Sequence, residues 1–267
     1  MKAYPFMIPL LLAGSPAFAE PDFAPAIRAD YDASLASLFD YFHRNPELSF
    51  KEVKTAARMA KELRAIPGIV VTENVGQTGV VGVMTNGLGP TVLVRADMDG
   101  LPVEETNGLS YASKARQVGV DGKVSPVMHA CGHDTHITAM IATARRLAAM
   151  KTRWAGTVVF IVQPAEEALG GAKSMLADGL YSRFPKPNYA LAFHVTSSLP
   201  TGKVSASEET FACEPILLTI DDANSWFSMR CRGCMFDVVR WRWRCGAGGP
   251  GLARRCAARP NVVCDQG

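Results

Sequence analysis

The sequence has no apolar run of about 20 residues, which is the length that a membrane-spanning helix needs. We therefore expect a soluble protein without a membrane partner. Internal repeats are also absent, so the chain is not expected to be a repeat array. Histidine is scarce, with 5 in 267 residues, and three of these lie between residues 129 and 136. This concentration points to one short stretch as a candidate site.

The N-terminus has the composition of a secretory signal peptide. Met1-Lys2 is followed by an apolar segment over residues 6–13 and by Ala17-Phe18-Ala19, an Ala-x-Ala cleavage site, before Glu20. We expect residues 1–19 to be removed and the mature protein to be periplasmic or secreted. The alternative, a buried N-terminal helix, is disfavoured by three prolines within the first 16 residues.

Residues 128–136, Met-His-Ala-Cys-Gly-His-Asp-Thr-His, place Cys131 two residues before His133. The apolar residues that follow recur at helical spacing, so the pair lies where a loop enters a helix. Thiolate and imidazole together suit zinc, cobalt or another late divalent ion. Two alternatives remain open. Cys131 could form a disulfide with Cys213 in an exported protein, and the other two histidines could be hydrogen-bonded residues that bind no metal.

Apolar periodicity alternates between helical and strand spacing from residue 25 to residue 195, which predicts an α/β domain. Glycine-containing pairs with proline or asparagine separate the elements. The second helix is expected to bury Val53, Ala57, Ala60 and Leu63. The predicted helices cover residues 25–42, 50–66, 137–148 and 171–180, and the predicted strands cover residues 69–72, 79–84, 91–95, 156–162 and 189–195.

Polar side chains stand at the carboxyl ends of the apolar strands. Asp97 and Asp99 follow one strand, Glu166 and Glu167 follow another, and His194 belongs to a third. Ligand sites of open α/β sheets lie at this edge, so we expect these groups to meet there. The strand of His194 should neighbour the strand that leads to Glu167. On an extended backbone the two glutamates would point in opposite directions, one towards a metal and one towards the substrate.

Four motifs occur in a fixed order: Asp-Met-Asp-Gly-Leu-Pro over residues 97–102, the stretch over residues 128–136, Gln-Pro-Ala-Glu-Glu over residues 163–167 and Phe-His-Val over residues 193–195. They resemble the successive motifs of the amidohydrolase metallopeptidases, which include hippurate hydrolase, N-acyl-amino-acid amidohydrolases and auxin-conjugate hydrolases. The resemblance extends from about residue 27 to about residue 220. It implies a three-layer α/β/α zinc-peptidase-like catalytic domain, with only the start of an inserted α/β lid domain.

The resemblance implies a definite set of metal ligands. Cys131, His133, Glu167 and His194 match residues that bind two divalent metal ions, such as zinc, manganese, cobalt or nickel. A disulfide at Cys131 would contradict this role. The fifth ligand of the family, a histidine far down the chain, has no counterpart, because no histidine follows His194.

Two further carboxylates match catalytic positions of the family. Glu166 matches the general base, and Asp99 matches an aspartate that hydrogen-bonds a metal ligand and orients it. In the implied reaction the metal lowers the pKa of a water molecule towards about 7, and Glu166 accepts its proton as the water attacks an amide carbonyl. The implied substrates are N-acyl amino acids such as hippurate. The resemblance implies no nucleic-acid partner, and it allows a homodimer through the lid domain in intact relatives.

The composition changes sharply near the C-terminus. Residues 230–267 contain eight Arg, no Lys, two acidic residues and five of the seven Cys. This composition is typical of an out-of-frame reading of a GC-rich gene, so we expect a frameshift shortly after Ile220. Two weaker alternatives are a nucleic-acid-binding tail that uses Trp241 and Trp243, and a zinc knuckle on Cys231-x-x-Cys234.

The expected organisation comprises a signal peptide over residues 1–19, the N-terminal part of a metallopeptidase catalytic domain over residues 20–212, the start of a lid domain over residues 213–222, and a disordered basic tail over residues 223–267. The expected function is metal-dependent hydrolysis of the amide bond of N-acyl amino acids. The alternative is a truncated, catalytically silent remnant of such an enzyme that binds metal without turnover.

Overall fold

The structure, a computed structural model, describes residues 23–119, 122–196 and 200, and beyond them only the backbone of six short strands. The predicted signal peptide and Cys213 lie outside the described residues. The six strands pair antiparallel, two by two. They are Thr210–Ala212, Leu217–Asp221, Trp226–Arg230, Gly233–Met235, Trp241–Cys245 and Cys256–Pro260. The domain boundaries expected beyond residue 212 stay predictions.

Four helices cover one face of the central sheet. They are α1 (Ala24–Asp30), α2 (Ala36–Arg44), α3 (Val53–Arg64) and α4 (His133–Ala149), with a π-helical turn over Tyr31–Leu35 between the first two. Residues 25–42 were predicted as one helix, which the structure divides into α1, the π-helical turn and α2. Helix α3 begins three residues later than expected, and α4 begins four residues earlier. Among the residues that the structure describes, no helix has the length and apolar character to cross a bilayer.

The buried face of α3 differs from the prediction. Ala56, Met59, Ala60 and Leu63 are buried, whereas Val53 is 66% exposed. Because alanines lie on both sides of Met59 in the sequence, two faces of α3 have similar apolar spacing. Spacing alone could therefore not decide which face is buried. The observed face places the large Met59 side chain in the core, where it removes more apolar surface from water.

Seven strands precede residue 200. They are β1 (Ile69–Val75), β2 (Gly79–Asn86), β3 (Thr91–Asp97), β4 (Arg116–Val118), β5 (Val124–Pro126), β6 (Gly156–Gln163) and β7 (Tyr189–Ala192). Five of them form the central sheet, in the order β1-β2-β6-β3-β7. Strands β6, β3 and β7 run parallel to one another, and β2 pairs antiparallel with β6 on its other side. A separate hairpin pairs β4 with β5.

Helices on both faces of this sheet confirm the predicted three-layer α/β/α arrangement. The layer opposite α1–α4 consists of α5 (Gly171–Ala177) and α6 (Leu180–Arg183), which pack Met175 and Leu180 against alternate strand residues. One helix was predicted here. The chain divides it at Gly179, whose φ of +82° is a left-handed conformation that glycine adopts without strain.

Two details of the predicted sheet were wrong, and both concern His194. Strand β7 lies beside β3 rather than beside β6, so β3 is the middle strand of the parallel set. Strand β7 also ends at Ala192, two residues earlier than His194, so His194 lies in the loop beyond the strand. Apolar residues continue through Val195 in sequence, and this continuation concealed the end of the strand.

A buried charged cluster connects α2 to the start of α4. His43 Nδ1 lies 2.6 Å from Asp134 Oδ2, and His43 Nε2 lies 2.9 Å from Glu105 Oε1. Burial disfavours the charged imidazole, but the hydrogen bonds to the two carboxylates outweigh burial and raise the pKa of His43. The charged ring therefore fixes the first turn of α4, which carries the predicted metal ligands.

Replacing His43 by Leu should lower the free energy of unfolding by roughly 3–5 kcal/mol, because two buried carboxylates lose their shared cation. His43→Gln keeps a side chain that can form hydrogen bonds but cannot ionise. Its stability relative to the wild type therefore measures the contribution of the His43 charge. Because the pKa of His43 is raised in the folded state, its charge stabilises fully below the unfolded value of 6.5 and the effect is lost as the pH rises through the folded-state pKa. Urea denaturation of the wild type and the Gln variant at several pH values measures this. A stability difference that grows with rising pH would contradict the argument.

Candidate metal centre

Asp99 organises the carboxyl edge of the sheet. Its Oδ1 accepts the backbone N–H of Glu166 at 3.0 Å, and its Oδ2 accepts the N–H of Glu167 at 3.0 Å and the hydroxyl of Ser49 at 2.6 Å. Burial opposes ionisation of Asp99, but neighbouring His133 and these donors hold the pKa of the carboxyl below its usual range. An ionised side chain beyond β3 therefore fixes the backbone of the two glutamates that follow β6.

Glu52 supports the same turn from the opposite side. Its Oε1 accepts the N–H of Ala165 at 2.7 Å and the N–H of Phe50 at 2.9 Å, and its Oε2 accepts the hydroxyl of Thr78 at 2.6 Å. The residue is completely buried, and burial raises its pKa. Ala165 has a φ of +44°, which non-glycine residues rarely adopt, so its N–H needs a firm partner.

Because of these bonds, the glutamate pair lies on a turn and not on extended backbone as predicted. The two carboxylates consequently reach the same ring. Glu166 Oε2 lies 3.8 Å and Glu167 Oε1 lies 3.7 Å from Nε2 of His133. The expectation that neighbouring side chains would point to opposite faces fails because the strand has ended at Gln163.

His133 lies at the centre of the acidic groups. Its Nδ1 is 3.4 Å from Asp99 Oδ1, and its Nε2 is 3.6 Å from Asp97 Oδ2. Burial lowers the pKa of His133, but Asp99, Cys131 and Asp97 outweigh burial and raise the pKa to about 11. Surroundings that stabilise a proton so strongly also favour a metal cation, which would take the place of the proton.

Cys131 stands beside this ring as a free thiol, so the alternative of a disulfide is not realised. The ligand atoms of Cys131, His133 and Glu167 all lie within 4.8 Å of one another. His194 faces the same sulfur, with Nε2 at 3.6 Å from Cys131 Sγ. The structure thus brings together all four residues that were predicted to bind metal.

The donor set fits divalent ions. Both ring nitrogens of His133 and Oε1 of Glu167 are buried and have no hydrogen-bond partner within the described part of the chain. His194 Nδ1 donates to the carbonyl oxygen of Val195 at 2.6 Å, which leaves Nε2 as the lone-pair nitrogen that faces Cys131. The nearby His133 lowers the pKa of the Cys131 thiol, but burial and the two glutamates outweigh it, so the thiol stays protonated until a cation offsets them.

Two residues next to this set were not among the predicted ligands, although Asp97 was expected at this edge and His136 was considered as a hydrogen-bonded residue that binds no metal. Asp97 and His136 form a second group with His133 and His194, in which the candidate ligand atoms again lie within 4.8 Å. However, both ring nitrogens of His136 already make hydrogen bonds, to Asp97 Oδ1 at 2.6 Å and to the N–H of Val195 at 3.0 Å. His136 therefore supports the site and is not itself free to bind metal. The sequence signal was its position one helical turn after Gly132.

Asp97 is ionised although it is completely buried. Burial opposes its charge, but Arg95, whose Nη1 lies 2.7 Å away, and the bond from His136 hold its pKa well below the usual range. His129, the remaining histidine of the stretch, is buried, and burial lowers its pKa to about 4. The residues around the centre therefore combine ionised carboxylates with imidazoles whose pKa values are shifted in opposite directions, downwards for His129 and upwards for His133.

With this geometry in view, comparison with known proteins identifies the family. Residues 93–245 match the model of peptidase family M20/M25/M40. The chain belongs to this family. The match includes every candidate ligand and both glutamates, and it confirms the resemblance that the four motifs indicated.

Relatives at moderate identity carry hydrolase names. The chain is 44% identical over 164 residues to thermostable carboxypeptidase 2 of Saccharolobus solfataricus, a match that covers 60% of this chain and 38% of that protein. It is 37% identical over 195 residues to hippurate hydrolase of Campylobacter jejuni, with 70% and 48% covered. The chain therefore spans less than half the length of these curated relatives.

A solved structure supports the fold. The YXEP protein of Bacillus subtilis, described as a dinuclear metal-binding peptidase of the M20 family, is 31% identical and superposes with a TM-score of 0.58. The alignment covers 69% of this chain and 48% of that protein. The three-layer domain described above is therefore the shared part of the two structures.

Glu52→Ala should lower the free energy of unfolding by about 3 kcal/mol and weaken metal binding, because buried N–H groups at Ala165 and Phe50 lose their acceptor. Glu52→Gln keeps Oε1 and should retain most of both properties. Urea denaturation and metal titration measure the two effects. Glu73→Ala, on β1, serves as a matched control and should leave metal affinity unchanged. Equal behaviour of the Ala and Gln variants would show that the acceptor role of Glu52 is misassigned.

Proposed function

We propose that this chain forms the metal-binding part of an M20 amidohydrolase that hydrolyses the amide bond of N-acyl amino acids. The observation that carries the proposal is the convergence of Cys131, His133, Glu167 and His194 on one point of the sheet edge. These residues would hold two divalent ions. When bound, such ions lower the pKa of a water molecule towards about 7 and stabilise negative charge on an amide oxygen.

Glu166 is suited to move the proton. It lies beside the ligand set without belonging to it, and burial together with the charges of Asp97 and Glu167 raises its pKa to about 7 despite the opposing charge of Arg95. In the proposed reaction Glu166 accepts a proton from the attacking water and passes it to the leaving nitrogen. The C–N bond then breaks, and a carboxylate and an amine are released. Asp99 holds the backbone of Glu166 and thereby fixes the base.

The names of the relatives support a substrate class. One of them is named hippurate hydrolase, and hippurate is an N-acyl amino acid with a free carboxylate. We propose this class for the whole protein. The composition of the N-terminal segment supports a periplasmic or secreted location for it.

Metal analysis and a hydrolysis assay on hippurate test the proposal together. The purified full chain should contain divalent metal and release glycine and benzoate, and Glu166→Gln should serve as the inactive control. Bound metal without product from the wild type would favour the catalytically silent remnant. Absence of bound metal after reconstitution would overturn the assignment of the centre.

Cys131→Ser should lower metal affinity by at least tenfold, because a hydroxyl is a much weaker ligand than a thiolate for late divalent ions. Titration against a coloured chelator measures the change. An unchanged metal stoichiometry and affinity in this variant, or a disulfide at Cys131 in the wild type, would remove the thiolate from the site.

The two glutamates should respond differently to the same substitution. Glu166→Gln should keep the metal and abolish turnover, since it removes the base and leaves the ligands intact. Glu167→Gln should lose metal first, because an amide is a poorer ligand than a carboxylate. Both changes remove one negative charge, so each controls for the other. The reverse pattern would exchange the two roles.

A further inference from the structure

His136 connects the end of β3 to the loop after β7, beyond the last residue pair of these two strands. Its ring accepts the N–H of Val195 at Nε2, at 3.0 Å. A nitrogen that accepts carries no hydrogen, so Nδ1 bears it and donates to Asp97 Oδ1 at 2.6 Å. The ring, which is completely buried, therefore links the end of β3 to the loop that follows β7.

The loop after β7 packs closely onto the first turn of α4. A Cβ atom added to Gly132 would lie 2.3 Å from Val195 Cγ2, so Val195 occupies the place that a side chain would fill. The ring of His136 lies 4.4 Å from the ring of His194 and 5.7 Å from the ring of Phe193, centroid to centroid. Residues 193–195 thus pack against the start of α4.

This packing determines the direction of the His194 side chain. The pairing of β7 with β3 ends at Ala192, so the ladder does not fix the following residues. His194 Nδ1 donates to the carbonyl oxygen of Val195, and the N–H of the same Val195 is bound by His136. The position of Val195 therefore sets the direction of His194 Nε2, which lies 3.6 Å from Cys131 Sγ.

We propose that His136 is a positioning residue for the metal ligand His194, acting through the backbone N–H of Val195, with Asp97 fixing the tautomer of His136. The inference rests on the proposed function in one respect, since it takes His194 to be a ligand. The rival arrangement, in which His136 itself binds metal through one nitrogen, would require the hydrogen bond at that nitrogen to break. Outer partners of this kind typically change metal affinity by 10–100-fold.

Two amide substitutions test the hydrogen bonds of the two His136 ring nitrogens separately. His136→Gln places an amide oxygen near the position of Nε2 and can still accept from Val195. His136→Asn places an amide nitrogen near the position of Nδ1, so it can donate to Asp97 but cannot reach Val195. Titration of the metal-free full chain with Co²⁺, followed by the absorption of the bound ion, reports both affinity and ligand set. His194→Ala supplies the reference spectrum for a missing ligand.

The Gln variant should bind Co²⁺ within about threefold of the wild type, whereas the Asn variant should lose at least tenfold in affinity and give the spectrum of His194→Ala. Wild-type behaviour of both variants would overturn the positioning role. Loss of the ion by both, with circular dichroism and melting like the wild type, would make His136 a ligand and would also overturn it. A wild type that binds no Co²⁺ would instead contradict the proposed function itself.

A backbone variant tests the same contact without touching His136. Val195→Pro deletes the N–H donor, and Val195→Ala keeps the donor as the matched control. Both variants lose the contact of Val195 Cγ2 with Gly132, and only the Pro variant also loses the N–H. The Pro variant should therefore reproduce the spectrum of His136→Asn and bind Co²⁺ at least tenfold more weakly than the Ala variant. This pair decides the question if His136→Asn does not fold, because equal metal binding by the Pro and Ala variants would contradict the proposal.

Discussion

The concentration of buried negative charge around His133 is the constraint on which the rest of the site depends. Asp97 and Asp99 are 0% and 1% exposed, and the carboxylates of Glu166 and Glu167 lie within 4 Å of the same ring. Like charges at such distances repel strongly where water is excluded. The fold keeps these groups together because Asp97 and Asp99 have specific donors, and because one position at the centre of the four carboxylates favours a positive charge.

Two of the donors to Asp99 are backbone N–H groups of the turn after β6, which explains why the sheet order matters. Asp99 follows the middle one of three parallel strands, so it can reach the turn after β6 on one side. On the other side, Asp97 reaches His136, which holds the loop after β7. Had β7 paired with β6, the two loops would have been adjacent and neither aspartate could have stood between them. The middle strand therefore leads to the organising carboxylates, and the loops after the flanking strands carry Glu167 and His194. The other two candidate ligands, Cys131 and His133, lie at the start of α4.

Much of this arrangement could be predicted from sequence, and the parts that could not share a physical cause. Strand ends, helix starts and the spacing between Cys131 and His133 are local features, and they located all four candidate ligands. The order of the strands, the turn at Glu166 and the role of Glu52 depend on hydrogen bonds between residues far apart in the chain. Glu52 precedes an amphipathic helix, where a carboxylate is ordinarily solvated, so its sequence context gave no indication of complete burial.

The histidines of the site show how hydrogen bonding distinguishes a ligand from a supporting residue. His194 uses one nitrogen on a backbone carbonyl and directs the other at a thiol. Both ring nitrogens of His136 are hydrogen-bonded to protein groups, so neither is free to bind a metal ion. His133 has no hydrogen-bond partner for either nitrogen within the described residues, and it lies among carboxylates on every side. The motif resemblance named His133 and His194 as ligands and did not include His136. The number of ring nitrogens that have no internal hydrogen bond gives a physical reason for this difference. His133 has two such nitrogens, His194 has one, and His136, which positions His194, has none.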